Sequence, residues 1–182
     1  MIQRFVFSGT GGQGVITAAI VLAEAALYYE EFNVVQTQVY GPEARGGAAR
    51  SDVILADSEI WFPKVLEPNV AVCLGQPAYD RFSGVVRPGG IIIVDLHNVR
   101  LHKNISSRQF QLPFHETVMA EFGQSQSLNM CMLGALVRLI PMVSPDAMRQ
   151  VISERFDERF REINLSAFEL GCDLVRESVR TF

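Results

Sequence analysis

Gly9, Gly11 and Gly14 stand at the spacing G-x-G-x-x-G, between the apolar run Phe5-Val-Phe and an alanine-rich stretch opening at Val15. That order makes a strand, a tight turn and a helix. Glycines at those places let a backbone approach a phosphate. The helix start adds unpaired amides and the positive end of a dipole, which favours an anion by about 0.3–1 kcal/mol before any hydrogen bond forms. The chemistry on offer is anion binding. The same spacing also fits a βα turn that holds no nucleotide, so the turn alone does not decide.

A second stretch, Tyr40-Gly-Pro-Glu-Ala-Arg-Gly-Gly-Ala-Ala-Arg50, carries too many glycines for a strand and has no helical period, so it reads as a loop. Gly46-Gly47 frees the backbone, while Arg45 and Arg50 bring two rigid positive forks. If the second strand lies beside the first in a parallel sheet, this loop leaves from the same carboxyl edge as the glycine turn. Both then border one crevice. Two readings stay open for the arginines: an anionic ligand or acidic partner surface, or local salt bridges that stiffen a long loop.

Other chemistry is poorly provided for. No Ser-His-Asp order, no metal-ligand cluster and no G-x-x-x-x-G-K-[ST] loop is present. Cys73, Cys131 and Cys172 are odd in number, far apart and set in apolar patterns, which marks them as small core residues. A dinucleotide site usually has an acid at the end of the second strand. Here Gln36, Thr37 and Gln38 stand there, which counts against a free-standing NAD or flavin enzyme. Asp95 ends an apolar strand, where it either meets a ligand or caps the next turn. His97 and His102 read as surface residues, with His115 near a helix start.

The elements that must position these groups follow from the hydrophobic pattern. Strands are predicted at residues 33–39, 51–56, 69–74 and 91–95, the last as a central strand, with a further strand or hairpin arm at 58–63. Trp61 and Phe62 in that arm are either core or an interface anchor. Helices are expected from Val15 to about Tyr29, at 78–82, 115–122 and 128–140, from the Ser144-Pro-Asp start to about 156, and from 158 to 179. The 128–140 helix is apolar nearly all round, with Gly134 offering close approach. The fold class is α/β: a three-layer sandwich with a mostly parallel, Rossmann-like sheet and a helical C-terminal part, as a single domain over residues 1–182. A net charge of −4 with no long charged run argues against a nucleic-acid scaffold. No run reaches the ~18 apolar residues of a membrane span and no signal-peptide pattern opens the chain, so a cytoplasmic protein is expected.

Taken together the motifs say more. Gly9-Thr-Gly-Gly-Gln-Gly14, the 40–47 loop, residues 68–74, Gly89-Gly90, Asn129 with Leu133-Gly134, and Glu162-Ile-Asn164 with Ala167-Phe168 and Gly171 fall in one order. In this order the chain resembles, over nearly its full length, the gamma subunit of 2-oxoacid:ferredoxin oxidoreductases. Gln36-Thr-Gln-Val-Tyr40 and Gln76-Pro-Ala-Tyr-Asp80 look most like the 2-oxoglutarate branch, with pyruvate and branched-chain members as alternatives. The resemblance implies a complex that decarboxylates the 2-oxoacid on thiamine diphosphate, passes electrons through iron–sulfur clusters to ferredoxin, and releases an acyl-CoA, here succinyl-CoA. It assigns thiamine and clusters to alpha and beta partners, with a delta subunit as a further candidate, and no catalytic residue to this chain. Coenzyme A is the ligand implied here, at Gly9, Gly11, Gly12, Gln13 and Gly14 and, facing them, Tyr40, Arg45, Gly46 and Gly47. The rival is an assembly module whose glycine loops and apolar helix bind sister subunits and no small ligand. Self-pairing of the isolated chain is left open.

Overall fold

Strands with apolar residues on both faces must be covered on both sides. The structure, a computed structural model describing residues 1–40 and 48–179, meets that demand with one mixed sheet of six strands. In chain order the elements are β1 (Ile2–Thr10), α1 (Val15–Tyr29), β2 (Asn33–Tyr40), β3 (Ala48–Ala56), β4 (Val70–Cys73), α2 (Gln76–Phe82), β5 (Ile91–Asp95), β6 (Arg108–Leu112), α3 (Phe114–Phe122), α4 (Leu128–Leu139), α5 (Pro145–Arg155) and α6 (Glu158–Val179).

The strand order is β2-β3-β1-β4-β5-β6. Strands β1, β4, β5 and β6 run parallel, and β3 runs antiparallel to both of its neighbours. The second strand therefore does not lie beside the first; β3 separates them. Chain length explains the arrangement: residues 41–47 joining β2 to β3 are too few for a parallel crossover, which takes about a dozen residues, but enough for a hairpin. Because two antiparallel pairings restore direction, β2 still ends at the carboxyl edge of β1. Tyr40 faces Ala49, and Ala49 faces Gly9.

Side-chain alternation sorts the core into two layers. Phe5, Phe7, Val53, Leu55, Val70, Val72 and Ile93 pack under α1, α3, α4, α5 and α6. Val6, Ile54, Ala71, Cys73, Ile92 and Val94 pack under α2 and the loop residues Val65, Val86 and Val99. The three layers are thus unequal: five helices on one face, and one short helix with loops on the other.

Residues 58–63 form no strand, and Trp61 and Phe62 are 85% and 52% exposed, so the core reading of that pair fails. Strand β6 went unpredicted because Arg108-Gln-Phe-Gln-Leu112 is mostly polar, which an edge strand tolerates. It makes β5 the strand next to the edge, although Ile92 to Asp95 are fully buried.

Ser144 caps α5, its Oγ accepting from the Ala147 amide at 3.1 Å, with Pro145 in the first turn as expected. Helix α4 is buried from Leu128 to Val137 and lies against α6 at Gly134 and Gly171. All three cysteines are buried, and burial pushes the Cys73 and Cys131 thiols up to about 12 and that of Cys172 to about 11. No helix among the described residues is long and apolar enough to cross a membrane.

Candidate functional site

The carboxyl edge between β1 and β4 is where the chain changes face: β1 leads into α1 on the five-helix side, and β4 leads into α2 on the other. Ligands of open α/β sheets bind at such a switch point. The glycine turn sits on it. Thr10 closes the turn by accepting from the Gln13 amide at 3.2 Å, and Gly12 and Gly14 take φ of +94° and +68°, which L side chains resist.

Two of the three glycines make room for the protein's own amides. A Cβ on Gly9 would lie 2.4 Å from Gln13 Oε1. The Gln13 side chain uses that space to tie the two strands together: Oε1 accepts from the Thr10 amide at 2.8 Å, and Nε2 donates to the Leu74 carbonyl just past β4 at 3.0 Å. A Cβ on Gly14 would lie 2.5 Å from Asn129 Nδ2, which donates to the Gly14 carbonyl at 3.2 Å and so fixes the start of α4 on the start of α1. Gln13 therefore clasps the sheet edge. Replacing Gln13 with Glu removes that donor and sets a carboxylate against the Leu74 carbonyl, so urea unfolding is expected to register a loss of about 1–3 kcal/mol. An unchanged midpoint would show that the clasp contributes nothing.

Gly11 and Gly12 are exposed at the tip of the turn. Tyr40 ends β2 across β3 from Gly9, whereas the Tyr40 side chain and Arg45, Gly46 and Gly47, expected at the site, lie outside the described residues. Arg50 belongs elsewhere. Its Nε and Nη2 donate to the two oxygens of Asp52 at 2.7 and 2.8 Å, Nη2 also reaches the Val65 carbonyl, and the guanidinium stands 5.0 Å over the Phe82 ring. The ligand reading of Arg50 gives way to the local salt bridge. Burial raises the Asp52 carboxyl even against that pairing.

Asp95 proves to be a cap. Fully buried, it accepts from the His115 amide at the start of α3 through Oδ1 and from Asn98 Nδ2 through Oδ2, and burial raises its carboxyl. No group of three or more His, Cys, Asp or Glu able to hold a metal occurs among the described residues.

Beside the turn, on the helical face, opens a cleft of about 510 Å³. Gly14 and Thr17 line it from α1, Gln124, Gln126, Ser127 and Asn129 from the start of α4, and Phe156, Arg159, Phe160, Ile163 and Asn164 from the α5–α6 junction. Three helix starts converge here, and no side chain caps those of α1 and α4. Among the described residues of this lining, Arg159, 5.3 Å over the Phe160 ring, is the one that carries charge, and none is a carboxylate. Asn164 is 8% exposed overall, and among the described residues nothing bonds its side-chain amide, whose polar atoms keep contact with solvent in the cleft. An amide placed so is free to pair with a polar group that enters the cleft. The arrangement suits an anion with an aromatic or apolar body. Sequence reasoning placed the site at the glycines and missed the cleft, although Asn129 and Asn164 both stood among the motif residues.

Comparison with known proteins yields a consistent set. A sequence profile for the family described as pyruvate ferredoxin/flavodoxin oxidoreductase matches residues 4–174. The chain is 40% identical over 179 residues to the 2-oxoglutarate synthase subunit KorC of Methanocaldococcus jannaschii, covering 97% of this chain and 96% of that one. It is similar to the crystal structure of the gamma subunit of keto/oxoacid ferredoxin oxidoreductase from Geobacter sulfurreducens, with 32% identity, a TM-score of 0.87 and coverage of 97% and 98%. The 2-oxoglutarate:ferredoxin oxidoreductase of Magnetococcus marinus, solved with 2-oxoglutarate, coenzyme A and succinyl-CoA bound, shares the fold at a TM-score of 0.87 and 23% identity, over 97% of this chain and 31% of that one.

Proposed function

We infer the role of this chain from the premise that it belongs to the pyruvate ferredoxin/flavodoxin oxidoreductase family: it is the gamma subunit of a 2-oxoglutarate synthase, a multi-subunit complex that oxidises 2-oxoglutarate to succinyl-CoA with ferredoxin as electron acceptor. The observation that carries this reading is the 40% identity to a KorC subunit over nearly the whole length of both chains. Decarboxylation on thiamine diphosphate and electron transfer through iron–sulfur clusters belong, in this reading, to sister subunits in the cytoplasm. The three buried thiols of this chain agree with that division.

The chain's own contribution is to hold coenzyme A. The exposed tip at Gly11 and Gly12, the uncapped amides of α1, and Arg159 supply positive potential for its phosphates, and Asn164 supplies an amide to its polar groups. Arg45, Gly46 and Gly47, carried on the segment that leaves and rejoins the sheet beside Gly9 and Thr10, face the same ligand in this proposal. Coenzyme A, once bound, supplies the thiol that accepts the acyl group; this chain orients it.

A second reading has support of its own. Gly9 and Gly14 make room for Gln13 and Asn129, which is what a purely architectural glycine turn needs. The test is the complex reconstituted with wild-type or Arg45→Ala chain, assayed for 2-oxoglutarate-dependent ferredoxin reduction. We expect intact assembly, with an apparent KM for coenzyme A raised on the order of tenfold, as loss of one charge-assisted contact brings. Dissociation at unchanged affinity for coenzyme A would favour the assembly module, and faster turnover of pyruvate or a branched-chain 2-oxoacid would move the substrate.

A further inference from the structure

We propose that the segment joining β3 to β4, with Trp61, Phe62 and Leu66 on its surface, is the face on which a sister subunit of the complex docks, through a short segment of acidic and apolar residues. The proposal rests on the subunit reading above.

Trp61, Phe62 and Leu66 are 85%, 52% and 69% exposed, three large apolar side chains within six residues. Trp is enriched at the energetic centres of interfaces, and large apolar side chains exposed close together on a chain that works in a complex mark a contact. The segment is anchored along its length. Val65 turns inward and is buried under the sheet face that carries α2. At one end Asp57 pairs with the Met1 ammonium, and at the other Asn69 exchanges bonds with the Arg4 backbone at 3.0 and 2.8 Å. An apolar surface held in place this way loses little freedom when a partner covers it.

Charge names the partner. Phe62 and Leu66 line a groove of about 370 Å³ together with Arg4, Lys64, Arg87 and Glu67. Among the described residues, no hydrogen bond or ion pair engages the side chains of Arg4, Lys64 or Arg87, so their charges are available to a partner. Three unpaired cations against one carboxylate, on a chain of net charge −4, select an acidic partner segment. The groove sits at the amino edge of the sheet, where Ile2 faces Ala56 and Phe5 faces Val70. The glycine turn and cleft occupy the opposite edge, so docking here leaves the ligand end open.

The test compares the wild-type chain, Trp61→Ala and the double variant Lys64→Glu/Arg87→Glu for binding to the co-expressed alpha and beta subunits, at low and high salt. The melting temperature and oligomeric state of each isolated chain are measured alongside. We expect both variants to bind on the order of tenfold more weakly or worse, at near-wild-type melting temperature. Salt should weaken the wild type more than the charge-reversed chain. Affinities within twofold of wild type for both variants would overturn the docking face alone. So would a Trp61→Ala chain that loses a homodimer while still entering the complex, since the occupant would then be a second copy. A wild-type chain that fails to bind the sister subunits would overturn the subunit reading, and this proposal with it.

Discussion

Replacing Gly171 with alanine is expected to cost about 2–4 kcal/mol of stability, more than a surface substitution can. In the native packing of α4 on α6, a Cβ at Gly171 would stand 1.8 Å from the Cys131 carbonyl oxygen, and one at Gly134 would stand 2.0 Å from that of Phe168. Both obstacles are backbone, so no rotamer change relieves them. The helices would have to part by roughly 1.5 Å to regain ordinary contact, pulling buried Phe168 and Cys131 away from their neighbours. Alanine returns about 1 kcal/mol through its better helix propensity, which is too little to offset the separation. At about 2–4 °C per kcal/mol, the thermal midpoint should fall by roughly 4–16 °C. Gly84→Ala is the control, because a Cβ there meets nothing within 4 Å. Equal midpoints for the two variants would mean that close approach at Gly171 is not what joins α4 to α6.

Asn164→Leu should separate binding from stability. Leucine keeps the branched shape of asparagine, though it is larger, and replaces an amide that has no protein partner among the described residues and meets solvent in the cleft. The isolated chain is therefore expected to stay within about 1 kcal/mol of wild type. If the cleft holds coenzyme A as proposed, the ligand loses a hydrogen-bonding group there, and its Kd for the complex should rise by about ten- to hundredfold. Calorimetric titration and thermal unfolding read the two effects separately. A chain that binds coenzyme A as tightly as wild type would remove Asn164 from the site, and one destabilised by several kcal/mol would show that the side chain serves the fold instead.

The sequence carried the helices well, because their signals are local: the serine cap and proline that open α5 and the long stripe of α6 lie where their residues put them. The glycine turn was legible for the same reason. What the glycines accommodate was not. Gln13 lies four residues from Gly9, but Leu74, its other partner, is 61 residues on, and Asn129 comes to Gly14 across 115 residues. The place of β3 between β1 and β2 could have been argued from the short 41–47 connection alone, since parallel neighbours need a longer one. Likewise Arg50 and Asp52, two apart in a strand, share a face, which favours the salt bridge over a ligand. The cleft was beyond reach. Its residues come from the starts of three helices, and only the packing of α4 and α6 on α1 brings them to one opening.

The strand order also fixes a timetable for the chain as it leaves the ribosome. Strand β1 is made first but is flanked by β3 and β4, so it has neither neighbour until residues 48–56 and then 70–73 have emerged. The larger core closes later still, because α4, α5 and α6 cover the five-helix face and are synthesised last. For most of translation Phe5, Phe7, Val53 and Leu55 sit on a sheet face sheltered from those helices' side only by α1. A nascent chain stalled before α4 consequently lacks the cover those three helices give this apolar face, the condition under which an incomplete fold is exposed to aggregation.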